Sequence, residues 1–329
     1  MKRKLIVIAS LIIFIVSFLL LGRLCQPKYQ THLIEGSMIR EYYETEKNHE
    51  VIFVGDCEVY ANFSPLRMYE KQGISAYVRG SSQQLIWQSY YLLEETFRYE
   101  RPRLVVLSVN AMRYGEKISD GYNHLMVDDM PMSLQKLQII KSSKIEEGWL
   151  DYLVPLIRYH DRLLELDRED TEWFWKTERN SFNGFLVNKE IKPVGTLPAK
   201  RPLTDPDFAD ICYEYLDRIT ELCRRNGVEL LLIKAPSLYP YWYDEYEQAI
   251  SRYASEKGIG YLNLLELAEE IGIDYQTDTY DAGLHLNLYG AEKLSDYFAD
   301  YLKKNYQLTD YRGNEKLDKM LEEYIEYID

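Results

Sequence analysis

Residues 51–60 have the sequence VIFVGDCEVY, in which four apolar residues precede a glycine and the polar triplet Asp56, Cys57 and Glu58. A run of β-branched and aromatic residues is typical of a buried strand in a parallel sheet, and Gly55 permits a sharp turn at its end. Because α/β folds carry their chemistry at the carboxyl edge of the sheet, the triplet is predicted to lie there. A thiol at that edge is a candidate nucleophile. The alternative is a packed core cysteine at the end of a strand.

The rest of the chain alternates between strands and helices, which predicts an α/β fold with a doubly wound, mainly parallel sheet over residues 51–308. The predicted strands are residues 51–54, 74–78, 103–109, 228–235 and 260–264, and the predicted helices are residues 64–71, 83–97, 207–226, 243–257 and 288–305. Residues 113–206 interrupt this alternation with amphipathic stretches at 134–147 and 149–166. We interpret them as a helical insertion that forms a cap or lid.

The first 28 residues predict a cytoplasmic basic tip followed by a membrane anchor. Residues 5–22 contain no charge, and 18 residues at about 1.5 Å each span roughly 27 Å, close to the hydrocarbon thickness. Lys2, Arg3 and Lys4 favour a cytoplasmic N-terminus, which would place the body outside the cytoplasm. A cleaved signal peptide is the alternative, but residues 22–25, GRLC, offer no small-x-small cleavage site.

Two polar segments flank the predicted α/β domain. Residues 29–50 are polar and carry Glu41, Glu44, Glu46 and Glu50, so we expect a stalk. Residues 309–329 end in an acidic amphipathic helix, which is predicted to dock on the body or on a partner.

Composition excludes several classes of function. A net charge of −14 argues against nucleic-acid binding, because neutralising phosphates requires a basic surface. The sequence has no clustered ligand set for a metal, and we predict no cofactor. Cys212 and Cys223 lie on one predicted helix, about 16 Å apart along its axis, which is beyond disulfide reach. Cys25 lies at the predicted membrane exit, so Cys57 has no obvious disulfide partner.

His285 is the histidine that best suits a role as a base. It lies in the segment DAGLHLNLYGAEK, a loop that leads into the last helix of the sheet domain. A base at that junction can reach a nucleophile at the carboxyl edge, and Asp281 can orient its other ring nitrogen. The alternative is a helix cap beside a surface histidine. Asn287 in the same segment, and Asp56 and Glu58 beside Cys57, are candidate auxiliary residues.

These motifs together resemble the SGNH/GDSL hydrolases and acyltransferases. In that family the first strand ends in Gly-Asp-Ser, where this chain has Gly-Asp-Cys, and a glycine follows the second strand, matched by Gly80. The third strand ends in a motif whose asparagine is matched by Asn110. The last motif, Asp-x-x-His, has one additional residue here. The resemblance implies a flavodoxin-like three-layer α/β/α sandwich.

The resemblance also implies roles for the matched residues. Cys57 would be the nucleophile, His285 the base and Asp281 its partner, with a backbone carbonyl or Asp278 as the alternative orienter. The backbone N–H groups of Cys57 and Gly80 and the side chain of Asn110 would be the oxyanion donors. If Cys57 and His285 form a dyad, the thiolate is expected to be more populated than in an ordinary cysteine, with sulfur and imidazole nitrogen about 3–5 Å apart.

The leading functional hypothesis is a membrane-anchored, extracytoplasmic esterase or O-acyltransferase that forms an acyl-enzyme on Cys57. Its substrate would be a cell-envelope glycan or another acyl ester. The anchor and the Gly-Asp-Cys-Glu motif are also similar in layout to the D-alanyl-lipoteichoic acid biosynthesis proteins. The alternative is a non-catalytic protein of the same fold that binds or scaffolds an envelope component. A redox role is a weaker alternative, because Cys57 has no Cys-x-x-Cys partner.

Overall fold

The computed structural model describes residues 2–27, 38–175 and 179–329. Its centre is a sheet of five strands in the order β2-β1-β3-β4-β5, with every pairing parallel. This is the flavodoxin-like order, so the predicted sheet is confirmed. The strands are β1 Val51–Gly55, β2 Ala76–Gly80, β3 Leu104–Ser108, β4 Glu229–Lys234 and β5 Gly260–Asn263.

Alternate residues of the strands face two separate cores, as the period of two in a strand requires. Ile52 and Val54 of β1 belong to a core that includes helices on one face of the sheet. Val51 and Phe53 belong to the core on the other face. Burial on both faces explains why the strands are apolar runs rather than alternating ones, and it makes the three layers of the predicted sandwich.

Fifteen α-helices surround the sheet or extend from it among the described residues. They are α1 Lys2–Cys25, α2 Met38–Glu44, α3 Cys57–Asn62, α4 Pro65–Gln72, α5 Ile86–Tyr99, α6 Asp120–Val127, α7 Leu134–Ser143, α8 Trp149–Leu153, α9 Pro155–Tyr159, α10 Arg168–Trp175, α11 Asp210–Asn226, α12 Asp244–Lys257, α13 Ala268–Ile271, α14 Leu288–Asn305 and α15 Glu315–Ile328. Two 3₁₀ helices occur at Val109–Arg113 and His160–Leu164.

Helix α1 is long and apolar enough to cross a membrane, with a mean hydropathy of 3.1 over its most apolar 18 residues. Its side chains from Leu5 to Leu21 are almost all exposed. The last turn packs on the insertion, where a Cβ on Gly22 would lie 3.4 Å from the backbone nitrogen of Leu156. Arg162 also donates to the carbonyl oxygen of Cys25 at 2.5 Å. The end of the predicted anchor is therefore joined directly to the body.

Residues 38–50 differ from the predicted stalk, because they are part of the body. Tyr42 of α2 is buried, and its hydroxyl donates to Glu100 at 2.7 Å. The ring nitrogen Nδ1 of buried His49 lies 3.0 Å from the same carboxylate. The earlier part of the predicted stalk, residues 28–37, lies outside the described residues. A buried hydrogen-bond network fixes residues 38–50. The polar composition of the segment does not reveal this network, because its partner Glu100 lies far away in the sequence.

The insertion is helical at first and irregular afterwards. The stretch predicted as one helix over 149–166 is broken at Pro155, which begins α9 because its ring cannot continue the preceding helix. No helix or strand occurs between residues 186 and 209. The segment still positions the site: Leu186 donates to the carbonyl of Tyr60 at 2.9 Å, and Lys192 donates to that of Thr279 at 2.8 Å.

The C-terminal helix α15 docks on the body. Leu317, Met320 and Tyr324 are buried on its inner face. The hydroxyl of Ser64, which caps α4, donates to the Tyr324 hydroxyl at 3.3 Å. Of the two predicted positions for this helix, on the body or on a partner, the structure shows the first.

Candidate active site

Cys57 is the first residue of α3, directly beyond the carboxyl end of β1. Asp56 caps the helix, because its carboxylate accepts the backbone N–H of Glu58 at 3.1 Å. All four cysteines are free thiols, and Cys57 is half-buried whereas the other three are buried. The sequence therefore placed this thiol correctly at the edge of the sheet, and it is the most accessible of the four.

Asp281 and His285 form a hydrogen-bonded pair in the loop before α14. Nδ1 of His285 lies 2.5 Å from Oδ2 of Asp281, and the His285 backbone N–H donates to Oδ1 at 2.7 Å. Ala282 and Gly283 both have positive φ, which turns the loop back on itself. Asp278 pairs instead with Lys293 at 2.6 Å. Asp281 is therefore the group that orients the imidazole.

The other ring nitrogen of His285 is available for chemistry. Among the described residues, no hydrogen bond or ion pair involves Nε2 of His285. The side chain is 12% exposed and its ring stacks on that of Tyr280. A histidine held at Nδ1 by a carboxylate and unengaged at Nε2 has the arrangement of a general base.

A hydrogen bond ties this loop to the helix that carries the thiol. The backbone N–H of Leu286 donates to the side-chain oxygen of Asn62, in α3, at 2.8 Å. Burial and the neighbouring Glu58 carboxylate raise the pKa of Asp56 to about 6, while the hydrogen bond from Asn110 and the nearby His285 act to lower it. The structure thus brings the base loop and the start of α3 to one edge of the sheet.

The thiol is not bonded to the candidate base in this arrangement. Among the described residues, no hydrogen bond joins Cys57 to His285. Burial and the nearby Asp56 and Glu58 carboxylates raise the pKa of the Cys57 thiol well above its ordinary value. This direction is opposite to the enriched thiolate expected for a Cys57–His285 dyad, because burial and both flanking carboxylates disfavour a negative sulfur.

Gly80 has a packing role at the edge of the sheet. It is the last residue of β2 and lies opposite Gly55 in the sheet. A Cβ on Gly80 would lie 2.7 Å from a methyl group of Val59 and 3.1 Å from the carbonyl oxygen of Asp56. The absence of a side chain lets α3 approach the sheet.

Asn110 lies in the site, but its amide is already bonded. The side-chain nitrogen donates to Oδ2 of Asp56 at 2.6 Å, and the side-chain oxygen accepts from Arg113 at 3.4 Å. An amide carries two N–H donors, so one remains for a ligand. Asn110 therefore positions Asp56 as well as being a candidate oxyanion donor.

Two further candidates have structural contacts. Glu58 is buried, with its carboxylate 2.6 Å from Nζ of Lys234 and accepting the Ser108 hydroxyl at 3.3 Å. Asn287 caps α14, and its amide nitrogen donates to the carbonyls of Glu190 and Thr277. Both side chains have their hydrogen-bonding groups occupied by the protein.

Lys234 was not predicted from the sequence. It ends β4 and is fully buried, and a charged residue at the carboxyl end of an apolar strand is a signal that could have identified it. Among the described residues no group of three or more His, Cys, Asp or Glu side chains could hold a metal ion.

Comparisons with known proteins give similarity only to solved structures. No family model and no curated protein matches the chain. The similar structures include GDSL-type lipolytic proteins and acylhydrolases. One, described as a lipolytic protein of the G-D-S-L family from Desulfitobacterium hafniense DCB-2, is 12% identical with a TM-score of 0.39, covering 78% of this chain and 99% of its own.

Two others come from Bacteroides species. An acylhydrolase from Bacteroides fragilis NCTC 9343 is 11% identical with a TM-score of 0.39, and the alignment covers 82% of this chain and 95% of the other. A GDSL-like lipase from Bacteroides thetaiotaomicron VPI-5482 is 12% identical with a TM-score of 0.38, covering 83% and 100%. The function proposed below depends on the geometry of this chain's own site.

Proposed function

We propose that the protein is an ester hydrolase or O-acyltransferase that forms an acyl-thioester on Cys57. The observation that carries the proposal is the Asp281–His285 pair, whose Nε2 is unengaged at the edge where Cys57 begins α3. Nucleophile, base and orienter are the three groups that acyl transfer by covalent catalysis requires.

The raised pKa of Cys57 determines how the first step would proceed. A neutral thiol must lose its proton as it attacks, so Nε2 of His285 takes that proton while sulfur bonds to the acyl carbon. Asp281 stabilises the imidazolium that forms. This requires the sulfur and Nε2 to approach to about 3–3.5 Å, and hydrogen bonds of this kind often tighten only when substrate is bound.

The remaining steps conserve the same proton. The imidazolium of His285 returns it to the leaving alcohol as the carbon–oxygen bond breaks, which leaves the acyl group on sulfur. Water or an acceptor hydroxyl then attacks the thioester, with His285 again acting as base, and the thiol is restored. The N–H groups of Cys57 and Gly80 and the remaining donor of Asn110 would stabilise the oxyanion, each by about 3–4 kcal/mol.

We further propose that α1 anchors the protein in a membrane with its body on the extracytoplasmic side. The length and hydropathy of α1 and the basic residues Lys2, Arg3 and Lys4 at its start support this orientation. A cell-envelope glycan or another acyl ester would then be the substrate. Protease added to intact cells stripped of their wall should digest the body, and full protection would contradict this orientation.

One observation favours the second candidate, a binding protein without catalysis. Among the described residues, no hydrogen bond joins the sulfur of Cys57 to His285, and burial raises the pKa of the thiol well above its ordinary value. A thiol at rest in this way would suit a site that only recognises an acylated ligand.

Mass spectrometry of the intact chain after mixing with a small activated ester separates the two candidates. We expect an adduct of one acyl mass on Cys57 and steady turnover. Cys57→Ala should lose both, and His285→Ala should slow the acylation by about 10²-fold or more. His160→Ala is the matched control, because the side chain of that histidine is 63% exposed and belongs to the insertion, not to the loop of His285 or the helix of Cys57. Absence of both adduct and turnover in the folded wild type would support the binding candidate.

A further inference from the structure

Four large apolar side chains of the insertion are exposed close to the end of α1. Their exposed fractions are 41% for Ile157, 42% for Leu163, 95% for Leu164 and 77% for Trp175. We call them the exit surface. Removing large apolar side chains from water is favourable, so an exposed set in one short segment calls for an apolar surrounding.

The exit surface adjoins the place where α1 leaves its apolar stretch. Ile157 follows Leu156, whose backbone nitrogen would lie 3.4 Å from a Cβ on Gly22. Leu163 and Leu164 follow Arg162, which donates to the carbonyl of Cys25 at 2.5 Å.

Trp175 also directly follows a residue that contacts the last turn of α1. It follows Phe174, whose ring centroid lies 5.9 Å from the guanidinium carbon of Arg23. All four residues are therefore one or two positions along the chain from a residue that contacts the last turn of α1.

Charged side chains of the same segment are exposed as well. The side chains of Asp161 and Arg168 are 90% and 92% exposed. Tryptophan is enriched at membrane–water boundaries, where its ring lies among headgroups and acyl chains. Short segments with exposed apolar and charged side chains are typical of elements that lie in that boundary.

We propose that the exit surface lies in the boundary between headgroups and acyl chains of the bilayer that α1 crosses. The inference rests on the proposed anchoring by α1. The insertion would then hold the sheet domain at a fixed height and orientation on the membrane. The occupant of the exit surface is lipid, not a second protein.

Site-directed fluorescence on the full chain in liposomes tests the proposal. Leu164→Cys, made in a Cys57→Ser background so that the remaining native thiols are buried, is labelled with bimane. Lys319→Cys is the matched control, because that side chain is 76% exposed on α15. Lipids carrying a doxyl group near the headgroup should quench bimane at position 164 about twofold and leave position 319 unchanged, while iodide should quench only position 319.

The outcomes separate the exit surface from the anchor. Equal quenching of both positions by iodide, with no effect of doxyl lipid, would overturn the inference while the chain stays with the vesicles through an alkaline wash. Protection of position 164 from both quenchers would show protein contact instead of lipid and would also overturn it. Release of the chain by the alkaline wash would contradict the anchor itself.

Discussion

Nζ of Lys234 lies 2.6 Å from Oε1 of Glu58, and both side chains are buried beneath the carboxyl edge of the sheet. The lysine ends β4 and the glutamate follows Cys57, so the ion pair joins the fourth strand to the helix of the candidate nucleophile. Neither charge is screened by water, which makes the pair a strong positional constraint on α3.

Removing one member of the Lys234–Glu58 pair should destabilise the protein. Lys234→Met leaves the Glu58 carboxylate buried without its cation, and we expect the free energy of unfolding to fall by about 3–5 kcal/mol. Urea denaturation of the full chain in detergent measures it. Lys234→Met combined with Glu58→Gln should recover much of the loss, because no unpaired charge remains.

Lys257→Met is the matched control for this change. Lys257 pairs with Asp217 on the surface, where both side chains are at least a third exposed, so the expected loss is under about 1 kcal/mol. Equal losses for the two lysine variants would contradict the importance of the buried pair.

Asp281→Asn should lower kcat of ester hydrolysis by about 10²–10⁴-fold, because an amide cannot stabilise the imidazolium and favours the wrong tautomer of His285. KM should change little, since Asp281 contacts the imidazole and not the substrate. Circular dichroism checks the fold, and Asp300→Asn, at an exposed side chain on α14, is the control. A kcat within twofold of the wild type would remove Asp281 from the mechanism.

Cys57 should react slowly with iodoacetamide at neutral pH and faster as the pH rises, because its pKa is well above the ordinary value. Cys212 and Cys223 are buried whereas Cys57 is half-buried, and burial raises the pKa of both to about 12, so their poorer access to the reagent should make them react more slowly still. Asp56→Asn should accelerate labelling of Cys57, since it removes a negative charge beside the sulfur. Labelling that is fast and independent of pH between 6 and 9 would mean that a thiolate exists at rest.

Gly80→Ala should destabilise the protein by about 1–3 kcal/mol and slow acylation, because the new methyl group would force α3 away from the sheet. The matched control is Gly195→Ala, whose Cβ would meet nothing within 4 Å, and its effect should stay within about 0.5 kcal/mol. Thermal unfolding followed by circular dichroism compares the two. Indistinguishable unfolding temperatures would show that α3 does not need the close approach.

Features of the fold that depend on local sequence were predictable. Ser64 and Pro65 begin α4, and Gly227 ends α11 in the left-handed conformation, as a capping hydroxyl, a first-turn proline and a terminal glycine indicate. The Asp281–His285 contact was also predictable, because both residues belong to one short loop.

Features that depend on distant parts of the chain were not predictable. Tyr42 and His49 are buried and hydrogen-bond to Glu100, which lies at the end of α5. Because this partner is distant in the sequence, the polar segment around them was predicted to be a stalk. The pKa of Cys57 depends on how deeply α3 packs, which the order of residues does not reveal. Pro155, by contrast, is a local signal in the sequence. A proline predicts a break in a helix, so the stretch 149–166 could have been predicted as two helices.

The hydrogen bond from Leu286 to Asn62 spans 224 residues of sequence. A ribosome delivers the thiol early and the imidazole late, with all of β2 to β5 and the insertion synthesised between them. A nascent chain therefore carries Cys57 without its candidate base until α14 has emerged and docked. Under the proposed mechanism, acyl transfer would begin only after residues from the two ends of the sheet domain have come together.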